Sequence, residues 1–354
     1  MLFNINSEIS KANTLPSEFY LDHKYFDFCL KNIFPESWQL IGDRNIFQKS
    51  NIHPFIFLPG SVNEPLIITN KNNETKCFSN VCTHRAHLVV DSSCRRNKLR
   101  CMYHGRTFNL DGSFISMPGF EDAQNFPTET DNLQKVHIIN WKNFILASIK
   151  GGINIMPVLN DIEMRLPNYP FDSLTFNKNS SKSWEIDAHW ALYCENYLEG
   201  FHVPFVHKGL AKEIKIETYD TILLENAVLQ IAQGETQSKA LQNPENPNLN
   251  FYGLYYWIFP NFMLNFYSWG LSVNIIEPIS YKKTKIRFLS YPIKNKEQPS
   301  SGDAALKQVE AEDQEVVTNV QQGMKSFFFN SGRYSPKYEK GLHHFHLLLD
   351  KYLN

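Results

Sequence analysis

Two short motifs, each of which pairs one cysteine with one histidine, constrain the fold of this chain more than any other feature of its sequence. A C-x-H motif at Cys82 and His84 is followed by a C-x-x-H motif at Cys101 and His104. Together the motifs supply two thiolates and two imidazoles, which make a complete set of four metal ligands. The fold must therefore bring two loops, one from each motif, to a single point.

The mixture of ligands predicts which group these loops hold. A Rieske [2Fe–2S] centre binds one iron through two thiolates and the other through two imidazoles, and the imidazoles raise its reduction potential above that of an all-thiolate cluster. A mononuclear zinc ion accepts the same ligands, but zinc sites more often pair cysteine with cysteine and histidine with histidine. We therefore predict a Rieske cluster, with Gly105 allowing close approach of the backbone. We interpret Cys77, His87 and Cys94 as structural.

A second group of potential ligands lies in the other half of the chain. His202 and His207 are five residues apart, and Glu199 precedes the first of them by three residues. On a helix, Glu199 and His202 would share a face. Pro204 lacks an N–H and clashes with the preceding turn, so we expect the helix to bend there and bring both imidazoles to one point.

A third ligand is needed, because two imidazoles form a catalytic iron site only when a carboxylate completes a facial triad. The helical pattern over residues 303–324 has an apolar stripe formed by Leu306, Val309, Val316, Val317, Val320 and Met324. Asp313 falls near the centre of this stripe, whereas Glu315 points almost oppositely and Glu310 and Glu312 lie to the sides. A buried carboxylate is costly unless it is paired or binds metal, so we predict Asp313 as the third ligand. The alternative is a carboxylate satisfied by a buried Arg, Lys or hydroxyl group.

With both groups of ligands in place, the chain resembles the oxygenase (alpha) subunits of Rieske non-haem iron oxygenases over essentially its whole length. The resemblance implies a [2Fe–2S] cluster held by Cys82, His84, Cys101 and His104, and a mononuclear Fe(II) held by His202, His207 and Asp313. It also implies that Glu199 is the carboxylate that connects the two centres. With a glutamate at this position, the chain resembles the branch of the ring-hydroxylating dioxygenase family that contains carnitine, choline and glycine-betaine monooxygenases. Arg106, directly after His104 and Gly105, departs from the tryptophan that is commoner in the family.

The pattern of apolar residues and turns predicts an α+β protein with two domains. Residues 1–37 are expected to form an N-terminal helical segment that packs on the catalytic domain, with one amphipathic helix over 17–34. Short apolar runs separated by turns predict an all-β Rieske domain over 38–150. Residues 151–354 are expected to form the catalytic domain, for which the resemblance implies a helix-grip fold with a central antiparallel sheet around a long helix.

Within the catalytic domain the sequence predicts a loop, a helix and two strand regions. Residues 168–183, rich in Asn, Ser and Pro, are expected to be a loop. A helix is predicted around 190–202, and strands are predicted over 251–279 and 284–291.

The resemblance also implies a function. We expect an oxygenase that activates O2 at the Fe(II) with electrons from the cluster and hydroxylates a small aromatic or quaternary ammonium compound. The resemblance implies a homotrimer, in which one subunit's cluster lies beside the next subunit's iron. The sequence contains no G-x-G-x-x-G fingerprint, so electrons from NAD(P)H must arrive through a separate reductase or a ferredoxin. Two other classes stay open, namely a Rieske electron-transfer protein without oxygenase activity and a zinc-stabilised binding protein.

Charge and hydropathy argue against several kinds of partner. The 35 basic and 36 acidic side chains nearly cancel, which does not favour nucleic acid or an anionic membrane as a partner. No stretch approaches the roughly 18 apolar residues of a membrane span, and residues 1–10 lack the pattern of a secretory signal. We therefore expect a cytoplasmic protein.

Aromatic residues are the candidates for a substrate pocket. The segment Phe251–Trp269 is rich in them, and aromatic faces can enclose a quaternary ammonium ion or line a slot for a flat ring, although core packing explains most of these residues. Tyr197, Phe201 and Phe205 are favoured for the pocket because they adjoin the predicted ligands. The histidine-rich run over 343–346 lacks a recognised zinc spacing, so we predict no third metal site there.

Overall fold

The residues that the computed structural model describes are 3–209, 219–233, 241–242, 250–296 and 300–353. The chain divides into two compact units. Residues 35–152 form one, which we call the β unit, and residues 1–34 together with 153–354 form the other, which we call the mixed unit. The bounds expected from the sequence were 38 and 150 for the all-β part.

The β unit is built from two antiparallel sheets. Its strands are β1 (Gln39–Asp43), β2 (Ile52–Phe57), β3 (Glu64–Lys71), β4 (Glu74–Ser79), β5 (Lys98–Arg100), β6 (Thr107–Asn109), β7 (Phe114–Ser116), β8 (Lys135–Trp141) and β9 (Phe144–Ser148). The larger sheet has the order β1-β9-β8-β4-β3-β2, and β5, β6 and β7 form the smaller one. This confirms the predicted all-β architecture of this part of the chain.

Local sequence explains how these strands turn back on one another. Asn72 and Asn73, between β3 and β4, both have positive φ angles of 54° and 64°, which a two-residue hairpin turn requires and which asparagine tolerates better than most residues. Ile67 and Phe78 from this hairpin enter the same buried cluster as the thiols of Cys82 and Cys101. The β hairpins therefore form the core in which both predicted thiolate ligands are anchored.

The mixed unit combines helices with one antiparallel sheet. Its helices are α1 (Ser17–Leu21), α2 (His23–Asn32), α3 (Met156–Arg165), α4 (Trp190–Tyr197), α5 (Val203–Val206), α6 (Ser300–Gly323) and α7 (Lys340–Leu353). Its strands are β10 (Asn177–Ile186), β11 (Asp220–Leu224), β12 (Ala227–Gln233), β13 (Leu241–Gln242), β14 (Asn250–Ile258), β15 (Phe262–Tyr267), β16 (Gly270–Ser280) and β17 (Lys283–Pro292). The sheet order is β10-β17-β16-β15-β14-β12-β11, with β13 paired to β14. The predicted α+β class is confirmed.

Two local predictions outside the predicted iron ligands are wrong. The single helix expected over 17–34 is interrupted at Asp22, whose backbone is extended and whose side chain accepts a hydrogen bond from the N–H of Lys24. Aspartate at this place starts a new helix because its carboxylate caps a free N–H group. The loop expected over 168–183 contains most of β10, whose polar side chains suit a strand at the edge of a sheet that pairs on one side only with β17.

A helix that crosses a membrane must be both long and apolar. Of the helices described, none has the length and the apolar character that crossing a bilayer demands.

Candidate metal centres

A turn between α4 and α5 presents the first of the predicted iron ligands. The helix predicted around 190–202 is confirmed as α4, but it ends at Tyr197 and α5 begins only at Val203, so its predicted end is wrong. The expected bend at Pro204 is also wrong, because this proline stands in the first turn of α5, where a missing N–H costs no hydrogen bond. The interruption lies earlier, around Gly200, a residue type with low helix propensity. His202 and His207 therefore flank a helix of four residues.

Three donor atoms converge, two from the histidines that flank α5 and one from α6. Nε2 of His202 lies 3.2 Å from Nε2 of His207, which lies 3.0 Å from Oδ1 of Asp313. The third side, from Nε2 of His202 to Oδ1 of Asp313, is 3.5 Å. Donors bound about 2.1 Å from one ion are separated by roughly 3.0–3.4 Å when their bond angles lie between octahedral and tetrahedral values. Two imidazoles and one carboxylate in this triangle fit a single divalent metal ion, and their identity matches the donors of a facial triad.

Each imidazole also meets a carboxylate through its outer nitrogen. Nδ1 of His202 lies 2.6 Å from Oε1 of Glu199, and Nδ1 of His207 lies 2.7 Å from Oε2 of Glu312. The backbone N–H of His202 donates to the other oxygen of Glu199 at 3.1 Å. Carboxylates in these positions hold the inner nitrogen of each ring toward a metal and make it a stronger ligand.

Sequence reasoning missed Glu312. The helical geometry of α6 assigned this residue to the side of the buried face, and its side chain is partly exposed. From there it reaches His207, which comes from a different element more than one hundred residues earlier in the chain. Acidic residues on both sides of a predicted ligand were the available signal, but only the position of His207 distinguishes Glu312 from its neighbours.

The carboxylates change the protonation of His207. Burial alone would lower the pKa of this imidazole. Hydrogen bonds to Asp313 and Glu312, together with the charges of these two carboxylates, outweigh burial and raise the pKa to about 9. Without a metal ion, His207 is therefore the cation that offsets the two carboxylates.

The buried face of α6 is more polar than its sequence predicts. Glu310, Asp313, Val317 and Gln321 are buried at intervals of three or four residues, whereas Val320 of the expected stripe is 40% exposed. Asp313 lies on this buried face as expected. The side chain of Leu306 lies outside the described residues.

α4 supplies partners for these buried polar groups. The hydroxyl of Tyr193 donates to Oε2 of Glu310 at 2.6 Å, and the backbone N–H of His189 donates to Oε1 of Gln321 at 2.7 Å. Burial, with a further contribution from the charge of Asp313, raises the pKa of Glu310 to about 8. Sequence reasoning assigned Glu310 to the side of the helix and missed its burial, because its partner Tyr193 lies in a distant segment.

Aromatic side chains extend from the turn between α4 and α5 to the sheet. A Cβ atom at Gly200 would lie 3.1 Å from the ring of Tyr219. The hydroxyl of Tyr197 donates to Oδ1 of Asn265 on β15. Farther along the sheet, the ring of Tyr267 stacks on Trp269 at 5.2 Å and meets the edge of Tyr255 at 5.7 Å. We call Tyr197, Tyr219, Tyr255, Tyr267 and Trp269 the aromatic cluster.

The other aromatic candidates lie at the surface. Phe201 is 40% exposed and stacks on Tyr338, and Phe205 is 73% exposed. Their positions do not support the expected role in a pocket. The C-terminal histidines bind separate partners, since His343 and His344 contact the carbonyl oxygens of Asn6 and Leu224.

The four predicted cluster ligands form two close pairs in the β unit. The side chain of Cys101 lies within hydrogen-bonding reach of Cys82, and the rings of His84 and His104 are 4.9 Å apart. Both thiols are buried, whereas His104 is exposed. Gly105 has a φ of +79°, and its N–H donates to the carbonyl of Cys101 at 3.0 Å, which closes the turn between two ligands. Two sulfur donors inside and two imidazoles outside fit the ligand set of a Rieske cluster.

Comparisons with known proteins match a domain in each half of the chain. Residues 58–127 match the Rieske [2Fe-2S] domain, and residues 173–354 match the ring hydroxylating alpha subunit (catalytic domain).

Individual relatives match over nearly the whole chain. The chloroplastic choline monooxygenase of Amaranthus tricolor is 30% identical over 96% of this chain and 78% of its own length. The carnitine monooxygenase oxygenase subunit of Escherichia coli strain K12 is 25% identical over 98% of this chain and 95% of its own length. The fold is similar to that of a quaternary ammonium Rieske monooxygenase solved in complex with L-carnitine, with a TM-score of 0.75, 21% identity and coverage of 99% and 98% of the two chains.

Proposed function

The chain belongs to the ring-hydroxylating alpha subunit family, and on this premise we propose that it is the oxygenase component of a Rieske non-haem iron system whose substrate is a quaternary ammonium compound. The observation that carries the oxygenase assignment is the triangle formed by His202, His207 and Asp313, whose sides measure 3.0–3.5 Å. A Rieske electron-transfer protein has no need of such a site, so the triangle favours the oxygenase over the carrier.

We assign the residues of the two centres accordingly. The cluster ligands are Cys82, His84, Cys101 and His104, and the iron ligands are His202, His207 and Asp313. When bound, the cluster supplies an electron and the iron supplies the place where O2 is reduced next to substrate.

The protein's own groups hold and orient these ligands. Glu199 fixes the ring of His202 from the outer nitrogen, and Glu312 does the same for His207. Glu310 lies next to this site on the buried face of α6 and is held by Tyr193. Because the two outer nitrogens are already engaged, both inner nitrogens are free to face a metal ion.

The aromatic cluster and the relatives support the substrate class. Aromatic faces attract a quaternary ammonium ion by about 0.5–2 kcal/mol per ring, depending on how far the site excludes water. The aromatic cluster adjoins the turn between α4 and α5 at Gly200, where a Cβ atom would lie 3.1 Å from the ring of Tyr219. The relatives named above are a choline and a carnitine monooxygenase. A slot for an aromatic ring is the alternative that the substrate test below distinguishes.

Partner proteins and location stay predictions. We propose a separate reductase as the electron donor, a homotrimer in which Glu199 connects the iron site to the neighbouring subunit's cluster, and a cytoplasmic location. The exposed imidazole of His104 supports an encounter between proteins at the cluster, because electron transfer requires close approach.

The experiment that tests the function combines metal content with turnover. Purified protein should contain about three irons per chain and show the visible absorption of a Rieske cluster; about two irons would indicate a carrier, and zinc a structural site. Oxygen uptake with a surrogate reductase should then depend on choline, carnitine or a related betaine. Uptake that responds only to aromatic acids would refute the substrate class and leave the oxygenase assignment intact.

A further inference from the structure

A buried arginine follows the second ligand motif of the β unit directly. Arg106 is 2% exposed and stands two residues after His104. One NH2 group of its guanidinium donates to Oδ1 of Asp131 at 2.5 Å and approaches the carbonyl oxygen of the same residue at 3.3 Å. Burying an arginine is costly unless its charge is compensated, so a single carboxylate must account for most of the compensation.

Aromatic rings enclose the rest of the guanidinium. Its central carbon lies 4.9 Å from the ring centroid of Phe114, 5.5 Å from that of Phe126 and 5.9 Å from that of Phe108. Among the described residues, none accepts a hydrogen bond from Nε of Arg106. The positive charge is therefore held in an environment that screens it poorly, and its field extends farther than that of a surface arginine.

Asp131 connects this arginine with the other ligand motif. The hydroxyl of Thr83, which stands between Cys82 and His84, donates to the carbonyl oxygen of Asp131 at 2.8 Å. The carboxylate of Asp131 is itself fixed, because its second oxygen accepts from the N–H of Thr128 at 2.7 Å. Both ligand loops are thus tied to one residue, the first through Thr83 and the second through Arg106.

The charged pair stands beside both ligand motifs. Arg106 follows His104 by two residues, and the carbonyl oxygen of Asp131 accepts a hydrogen bond from Thr83, which stands between Cys82 and His84. An electron added to a group held by these ligands is therefore attracted by the guanidinium and repelled by the carboxylate of the pair.

We propose that Arg106 is a positioning residue that raises the reduction potential of the cluster, with Asp131 as the counter-charge that limits the increase. Reduction adds one electron and no atoms to the cluster, so a fixed positive charge nearby stabilises the reduced form. The inference rests on the proposed function, because it presupposes that the four ligands hold a [2Fe–2S] cluster.

Three variants of the cluster-loaded protein test the proposal in a spectroelectrochemical titration. Arg106→Trp replaces the cation with a large uncharged side chain and should lower the reduction potential by about 59 mV. At a fixed applied potential, this corresponds to a decrease of about tenfold in the ratio of reduced to oxidised cluster for one electron. Asp131→Asn keeps the shape of the pair but removes the negative charge, so it should raise the potential. Arg106→Lys keeps the positive charge, so its reduction potential should differ from that of the wild type by much less than in either of the other variants.

A purely structural role would not shift the reduction potential in opposite directions in Arg106→Trp and Asp131→Asn. A potential that falls in both Arg106→Trp and Asp131→Asn would mean that breaking the pair matters and that its charges do not, which would overturn the proposal. An unchanged potential in a loaded Arg106→Trp protein would overturn it too, as would loss of the cluster from that variant, because the role would then lie in assembly. Absence of the cluster spectrum from the wild-type protein would instead refute the proposed function itself.

Discussion

Replacing Glu310 by glutamine should remove most of the dependence of stability on pH that this residue imposes on the metal-free protein. Glu310 is 6% exposed, and its carboxyl group accepts a hydrogen bond from Tyr193 at 2.6 Å. Burial, assisted by the charge of Asp313, raises its pKa from an ordinary value of 4.5 to about 8. Glutamine keeps the size and the acceptor oxygen but does not titrate.

The sign of the effect follows from proton binding. Below pH 4.5 the group is protonated in both the folded and the unfolded state, and its full contribution to stability is present. Between pH 4.5 and about 8 the folded state keeps a proton that the unfolded state has lost, so the free energy of unfolding falls as the pH rises. At about 1.4 kcal/mol per pKa unit, this interval corresponds to at most about 5 kcal/mol.

Thermal unfolding of the chelator-treated protein between pH 5 and pH 8 measures the effect. Domains of this size lose about 2–4 °C in Tm per kcal/mol, so the wild-type midpoint should fall by about 10 °C more than that of Glu310→Gln over this range. Glu315→Gln is the matched control, because it removes an exposed carboxylate from the same helix and should follow the wild type. Parallel pH profiles for the wild type and Glu310→Gln would show that Glu310 is ionised in the folded protein, and the reasoning would fail.

Three further predictions concern the proposed centres. Asp313→Ala should keep the visible spectrum of the cluster but lose about one iron per chain and nearly all oxygen uptake. Glu315→Ala should retain the iron and the oxygen uptake. Iron loss from Glu315→Ala alone would refute the assignment of Asp313 as the ligand on α6. Glu199→Gln should leave both metals bound, as judged by iron content, but reduce turnover by at least tenfold, because a neutral amide orients His202 less strongly. Cys101→Ser should abolish the cluster spectrum and spare the mononuclear iron, and mixing this variant with His207→Ala should restore part of the activity only if electrons cross between subunits.

Sequence reasoning worked best where chemistry restricts the choice of residue. Cysteine and histidine in paired motifs have few explanations, so Cys82 and Cys101 could be singled out without any knowledge of the fold. Asp313 could be selected because a helix repeats at 3.6 residues and only one acidic residue fell near the middle of the apolar stripe. These inferences depend on spacing and on residue type, which the sequence contains directly.

The inferences that failed depended either on a local cap that periodicity conceals or on partners that are distant in sequence. Asp22 interrupts the N-terminal helix because its side chain caps the N–H of Lys24, a local signal that amphipathic periodicity concealed. The residues of β10 look like a loop because a strand at the edge of a sheet buries little of its surface, and only pairing with β17 makes it a strand. Glu312 was assigned to the side of its helix, and only the position of His207 gives that side a function.

The polar face of α6 and the triangle of ligands have one electrostatic explanation. The carboxyl groups of Glu199, Glu310, Glu312 and Asp313 lie around two imidazoles, and so much negative charge in a partly buried place is unfavourable unless it is compensated. In the metal-free protein protons provide part of that compensation, since the pKa of His207 is raised to about 9 and that of Glu310 to about 8. A divalent cation inside the triangle offsets the same charge from a more central position. Protons and metal therefore compete for this site, and the affinity for the metal should increase as the pH rises from 6 to 8.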